Sequence, residues 1–252
     1  MSKYMRDWKK EIEQRCSFIR TTVVDNAKAN GVIIGLSGGK DSILSSILAL
    51  KAGVEVFGVI MPCGNRKSDE DDAKRYAEMF GIEYTLIDLR QAFDEMLHSI
   101  TSQSDISPSD LAAINIKPRL RMITLYSLAQ TKNYLVLGTD NRSETLMGYF
   151  TKWGDGAADL MAISDLTVTE IYDCLKYIQE TEGYDLQRII NKAPSAGLFE
   201  GQTDESEMGV TYKEIDEYIL NGTTNEKALE IINTTFNKTK HKRCMPPVFV
   251  SK

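Results

Sequence analysis

GLSGGKDS, residues Gly35 to Ser42, ends one apolar run and opens another, and its reading decides what kind of sheet this chain builds. The residues ahead of it, VIIGL (Val32 to Leu36), have the look of a fully buried strand. Three further runs share that look: Val54 to Met61, Ile82 to Leu89 and Tyr134 to Thr139. Between them, Ile43 to Lys51, Asp69 to Phe80, Gln91 to Ile100 and Pro118 to Lys132 carry apolar residues at spacings of three and four, as amphipathic helices do. Gly53 and Gly81 stand just past two of these ends, where a left-handed residue closes a helix. Strands that alternate with helices need long crossovers and therefore pair in parallel. The expected fold is α/β, a doubly wound parallel sheet with helices on both faces, in which GLSGGKDS is a strand-to-helix turn.

The 252 residues, 42% of them apolar, can fill one substantial core. Beyond Gly148 the alternation stops: a glycine-rich stretch is followed by a helix around Val168 to Thr181 and a long polar segment from Ala193 to Gly209. The sheet is expected to be complete by then, and the last third to supply loops and a cap. No Pro/Gly/Ser-rich linker interrupts the sequence, so a single domain over residues 1–252 is expected. The net charge of −6 offers no general field for a nucleic acid backbone. No apolar run approaches the roughly 18 residues of a membrane span, and the N-terminus reads as an amphipathic helix rather than a secretion signal. Cys16, Cys63, Cys174 and Cys244 are far apart, which suggests neither a zinc knuckle nor a disulfide framework and points to a reducing cytoplasm.

GLSGGKDS itself admits several chemistries. The Walker A pattern fails, because Asp41 follows Lys40 and Ile34 stands where the first glycine belongs. The nucleophile elbow GxSxG fits as Gly35, Ser37 and Gly39, with His241 as the base it would need. A third reading uses all eight residues: main-chain N–H groups of Ser37, Gly38 and Gly39 wrap an anion, Ser42 adds a hydroxyl, and a helix starting near Ile43 points its positive end at the same spot. Asp41 beside phosphates would be repulsive without a divalent cation, so this reading implies Mg²⁺. The plainest alternative is a turn with Asp41 or Ser42 capping the helix.

The second half adds GTDNRSE (Gly138 to Glu144) at the end of the fourth strand and GYFTKWGDGAAD (Gly148 to Asp159) after it. Glu144 lies three residues after Asn141, a capping-box spacing, yet it can equally be a second Mg²⁺ ligand delivered from a strand end. SGGKDS after a strand resembles the SGGxDS signature of the ATP pyrophosphatase (N-type) superfamily. The later segments, with NIKPRLRM (Asn115 to Met122), KAPSAGLFEGQTDE (Lys192 to Glu205), MGVTYKEID (Met208 to Asp216) and HKRCMPPVF (His241 to Phe249), resemble the NAD synthetase family in the family's own order.

That resemblance implies an adenine nucleotide alpha hydrolase-like fold and ATP-dependent amidation of deamido-NAD⁺ through an acyl-adenylate, with ammonia as donor. It implies ATP binding by Gly35, Leu36, Ser37, Gly38, Gly39, Lys40, Asp41, Ser42, Thr139 and Ser195, with Mg²⁺ on Asp41 and Glu144. Deamido-NAD⁺ would be met by Arg119, Lys152, Asp159, His241 and Lys242, and Asp155 would stand near the reacting carboxylate. The bland roles are a helix-surface charge for Arg119, a turn residue for Ser195, and a solvated basic tail for His241, Lys242 and Arg243. A homodimer without a glutaminase domain is expected. The sequence departs from the pattern at Val168, where many relatives carry a phosphate-contacting lysine, and Lys40 or Lys192 is the expected substitute. Arg66 is expected near adenosine. The rival functions are another adenylating ligase of the SGGxDS type, a serine hydrolase using Ser37 and His241, and a noncatalytic nucleotide sensor.

Overall fold

A computed structural model describes residues 6–64, 67–192 and 203–250. Five parallel strands lie in the order β3-β2-β1-β4-β5: β1 (Gly31–Gly35), β2 (Glu55–Ile60), β3 (Glu83–Leu86), β4 (Tyr134–Gly138) and β5 (Leu160–Met161). The helices are α1 (Trp8–Arg20), α2 (Lys40–Lys51), α3 (Lys67–Phe80), α4 (Arg90–Gln103), α5 (Asp110–Ile114), α6 (Ile116–Lys132), α7 (Arg142–Met147), α8 (Val168–Glu182), α9 (Gln187–Ile190), α10 (Asp204–Met208), α11 (Tyr212–Asn221) and α12 (Glu226–Lys238).

Successive residues of a strand point to opposite faces, and the packing shows both faces covered. In β1, Val32 and Ile34 join one core with Ile19 of α1, Leu44 and Leu48 of α2, and Ile171 and Leu175 of α8. Ile33, between them, joins a second core with Val59, Leu89 and Ala129 of α6. The same alternation divides Leu137 from Val136 in β4. The doubly wound fold expected from the sequence is therefore present, and the reason is visible in a strand apolar at every position.

Two expectations are corrected. The sheet does not end at β4, because Leu160 and Met161 pair in parallel with Leu137 and Gly138; a two-residue strand is too short to carry a periodic signal. The last third is largely helical, and α7, α8, α11 and α12 bury a third core of Met147, Val168, Val210, Tyr212, Ile215, Ala228 and Ile232. Val168 thus has a packing role, and a lysine there would have to bury its ammonium in an apolar cluster.

The strand order reverses between β1 and β4, and in such sheets ligands bind beyond the carboxyl ends of the strands at the reversal. GLSGGKDS leaves β1 at that point, and GTDNRSE leaves β4 beside it.

Candidate active site

A cavity of about 640 Å³ opens above this reversal, lined by Gly35, Leu36, Ser37, Gly39, Lys40, Asp41 and Ser42 of the glycine loop and by Thr139, Asp140 and Glu144 after β4. Its size suits a nucleotide-sized ligand. Gly38 has φ +72°, and a Cβ there would stand 2.5 Å from the Asp69 carbonyl oxygen, so the turn needs glycine. Helix α2 begins at Lys40, three residues earlier than the sequence suggested, with Gly39 as its N-cap and no side chain capping it. Neither Asp41 nor Ser42 is the cap. The Ser42 hydroxyl donates to the Gly39 carbonyl at 3.0 Å, and Asp41 stands in the first turn. The uncapped N-terminus leaves its N–H groups available to an anion.

Asn141 ties the two loops together. Its side-chain NH₂ donates to Asp41 Oδ1 at 3.1 Å, and its side-chain oxygen accepts from the Glu144 N–H at 3.0 Å. Glu144 Oε2 accepts from the Asn141 N–H at 3.2 Å, so the capping box is real. It leaves the carboxylate facing the cavity all the same. Burial, then repulsion from Asp41, pushes the Glu144 carboxyl well above its ordinary range, while Lys40 pulls it down. Lys40 is buried, which opposes its charge, but Asp41 at 2.8 Å and then Glu144 hold its pKa above the usual value. Asp41 and Glu144 are hard oxygen donors at the mouth of the glycine loop, two carboxylates that share the single positive charge of Lys40. Among the described residues no group of three metal-ligating side chains occurs. Mg²⁺ takes one or two carboxylates and fills its octahedron with water and phosphate oxygens, and Asp41 and Glu144 are the residues that could hold it.

Asp155 also lines the cavity, wetted by solvent yet crowded by protein atoms, and accepts from the Thr151 N–H at 2.8 Å. Burial raises its pKa, against the pull of that hydrogen bond and of Arg121 and Lys242. Lys242 lines the same cavity, donating to the carbonyls of Gly148 and Phe150 at 2.8 and 2.7 Å. Gly148, at φ +63°, would drive a Cβ to 2.4 Å from Thr239 Cβ, which keeps α7 close against the end of α12 and brings Lys242 into range.

Arg119, Lys152 and His241 form a linked rim outside the cavity lining: Arg119 donates to the Lys152 carbonyl at 3.3 Å, and Lys152 Nζ donates to the His241 carbonyl at 2.7 Å. The 241–243 stretch is therefore anchored, with Arg243 bonded to the Thr145 and Leu146 carbonyls at 3.2 Å. Asp159 is not brought to the cavity. Its Oδ2 accepts from the Val136 N–H at 2.8 Å, fixing the approach to β5. Ser37 Oγ lies 3.1 Å from Ser42 Oγ and accepts from the Gly39 N–H, and neither His98 nor His241 bonds to it, so the serine-hydrolase pairing is absent. Ser195 and Arg66 lie outside the described residues.

Sequence reasoning missed Asp140, Asn141 and Arg121. Asp140 is buried, lines the cavity, and has no hydrogen-bond or ion-pair partner among the described residues; burial first, then Asp155 and Asp41, push its carboxyl well above the ordinary range. Arg121 is half-buried, also lines the cavity and donates to the Met61 carbonyl at 3.3 Å. A charge that periodicity would place against the sheet was the available signal for Arg121.

Residues 11–247 match the family described as NAD synthase. The chain belongs to that family. Among the family's members, an NH(3)-dependent NAD(+) synthetase of Carboxydothermus hydrogenoformans is 42% identical, over 96% of this chain and 98% of that one. A solved NMN synthetase from Francisella tularensis superposes with a TM-score of 0.89 at 38% identity, covering 97% of this chain and 99% of that one. A solved NH3-dependent NAD synthetase from Campylobacter jejuni gives 0.77 at 31% identity, with 98% and 100% covered. No helix among the described residues is long and apolar enough to cross a membrane.

Proposed function

We infer that this family member converts deamido-NAD⁺ to NAD⁺ by ATP-dependent amidation, with ammonia as the nitrogen donor. The observation that carries the reading is the junction of Asp41 and Glu144 through Asn141, above an uncapped helix N-terminus in one cavity. A carboxylate cannot expel hydroxide to become an amide at neutral pH, so it first needs a leaving group. The nicotinate carboxylate attacks the α-phosphorus of ATP, and the bond to pyrophosphate breaks. Pyrophosphate departs within the glycine loop, where N–H dipoles are already aimed at its charge. Asp41 and Glu144 would hold Mg²⁺, which supplies neutralisation of the phosphate charge. Ammonia then attacks the acyl carbon, AMP leaves, and the nitrogen loses a proton, for which Asp155, with its raised pKa, is the nearby acceptor.

Arg119, Lys152, His241 and Lys242 are assigned to the dinucleotide at the rim, and Gly35 to Ser42 with Thr139 to ATP. Asp159 supports that rim through β4 rather than by contact. We read the chain as one domain, working in a reducing cytoplasm that suits its four free cysteines. A homodimer is supported by Met96, Ile106, Leu111 and Ile123, exposed apolar side chains on or between α4, α5 and α6, of which α4 and α5 each pack on α6.

The test is to incubate the chain with ATP, Mg²⁺, deamido-NAD⁺ and either ammonium or glutamine. NAD⁺, AMP and pyrophosphate should form in equal amounts with ammonium, faster as pH moves from neutral toward alkaline at subsaturating total ammonium, because NH₃ is the nucleophile. Turnover on glutamine with ammonia scavenged would refute the donor assignment. A second reading, amidation of the mononucleotide, is favoured by the closer superposition on the NMN synthetase than on the Campylobacter enzyme. The ratio of kcat/KM for nicotinate mononucleotide and deamido-NAD⁺ decides between them.

A further inference from the structure

Lys192, just beyond α9, takes no part in the chemistry above, yet its ammonium makes two hydrogen bonds and a further ion pair to two other elements. Nζ stands 2.8 Å from Asp69 Oδ1 and 2.8 Å from Asp72 Oδ2, both on α3, and donates to the Gly38 carbonyl at 3.3 Å. Asp72 is buried and also pairs with Arg188 of α9 at 2.5 Å, and the Lys192 carbonyl accepts from the Tyr172 hydroxyl of α8 at 3.1 Å. The Gly38–Gly39 peptide is therefore held at both ends, its carbonyl by Lys192 and its N–H by Ser37 Oγ at 3.2 Å. The orientation of that peptide sets where the loop's neighbouring N–H groups point.

We propose that Lys192 is a positioning residue for the pyrophosphate end of ATP, acting by clamping the Gly38–Gly39 peptide against Asp69 and Asp72. This rests on the reading of the glycine loop as the ATP site. It also gives the cation at this loop a role different from direct phosphate contact, since the Lys192 ammonium is already held by two carboxylates and the Gly38 carbonyl. A peptide free to rotate presents its dipoles to phosphate less well, and small misplacements near a reacting group are costly.

The experiment compares the intact wild-type chain with Lys192→Met, Lys192→Arg and Asp69→Asn, measuring KM for ATP, KM for deamido-NAD⁺, kcat and melting temperature. Loss of ATP-dependent turnover in Asp41→Asn, a change at a loop residue outside the clamp, tests the loop reading separately; normal turnover there sinks that reading rather than the clamp. Lys192→Met is expected to raise the ATP KM about tenfold, with the deamido-NAD⁺ KM unchanged and kcat within about threefold. Lys192→Arg should recover most of the loss, and Asp69→Asn should move the ATP KM in the same direction by less. If Lys192→Met leaves the ATP KM unchanged while the melting temperature falls, the residue is merely structural and the proposal is wrong. If Asp69→Asn tightens ATP instead, Lys192 binds phosphate directly and the clamp is overturned. Should Lys192→Met fail to fold, the arginine and Asp69→Asn variants decide the question alone.

Discussion

The two ends of the cavity are built in different ways. The end we propose for ATP has the glycine loop at its centre, one strand, one turn and one helix with Gly38 forced to positive φ and Gly39 opening α2. Asn141 joins Glu144 after β4 to it through Asp41. The end we propose for deamido-NAD⁺ is assembled from α6, the loop after Gly148 and the 3₁₀ turn Lys240–Lys242, joined by side chains that donate to carbonyls of distant segments. Local geometry tolerates almost no substitution. An assembled rim loses affinity piecemeal.

The largest effects should therefore come from the ATP end. Glu144→Gln keeps the acceptor of the capping box while removing the charge, whereas Glu144→Ala removes both. Both should lower pyrophosphate release by about a hundredfold to a thousandfold. Glu144→Ala alone should also melt earlier, by about 2–4 °C for a cap worth about 1 kcal/mol. A Glu144→Ala protein that melts early but turns over normally would reduce Glu144 to its cap. At Asp41, Asn is the informative replacement. Alanine would leave the buried Lys40 ammonium without its partner at 2.8 Å, and the fold would suffer with the chemistry.

At the other end, Arg119→Ala should raise the KM for deamido-NAD⁺ by about tenfold, the scale of one lost charge-assisted hydrogen bond, and leave the ATP KM unchanged. Equal changes in both KM values would mean that the two ends are not separate, and the comparison would fail.

The same contrast explains what the sequence revealed. Four of the five strands, the longer helices between them and the glycine turn were legible, because each has a period or a signature within a dozen residues, whereas the five-residue α5 was not. The two-residue β5 has neither, and its place depends on β4 and on Asp159 bonding to Val136. Asp41 and Glu144 were legible as candidates because each sits beside a turn signal. Asp140 was not. An acidic residue after a strand ordinarily reads as a solvated charge, and its burial beside the cavity is visible only in the folded chain. Lys192 was expected near phosphate, but its ties to Asp69, Asp72 and Gly38 depend on three elements that no sequence spacing connects.

Asp140 gives the smallest expected effect and the sharpest pH signature. Its folded pKa is raised above 3.8, mainly by burial, so as pH climbs past that ordinary value the unfolded chain releases the proton first. The residue thus subtracts stability increasingly as pH rises toward its folded pKa. Asp140→Asn should melt higher than wild type at neutral pH in the absence of ligands, with the gap closing on acidification toward pH 4. A gap that is independent of pH, or reversed in sign, would show that the carboxyl is ionised and stabilised in the folded chain.

The central claim is that both ends of the cavity serve one reaction, in which the carboxylate gripped at the rim attacks the α-phosphorus of the ATP held in the loop. Deamido-NAD⁺ labelled with ¹⁸O in both carboxylate oxygens tests it most directly, with products of a single turnover in ammonium read by mass spectrometry. The mechanism predicts one ¹⁸O in AMP, one retained in the amide carbonyl of NAD⁺ and none in pyrophosphate. Label in pyrophosphate or inorganic phosphate, or AMP released without label, would contradict it.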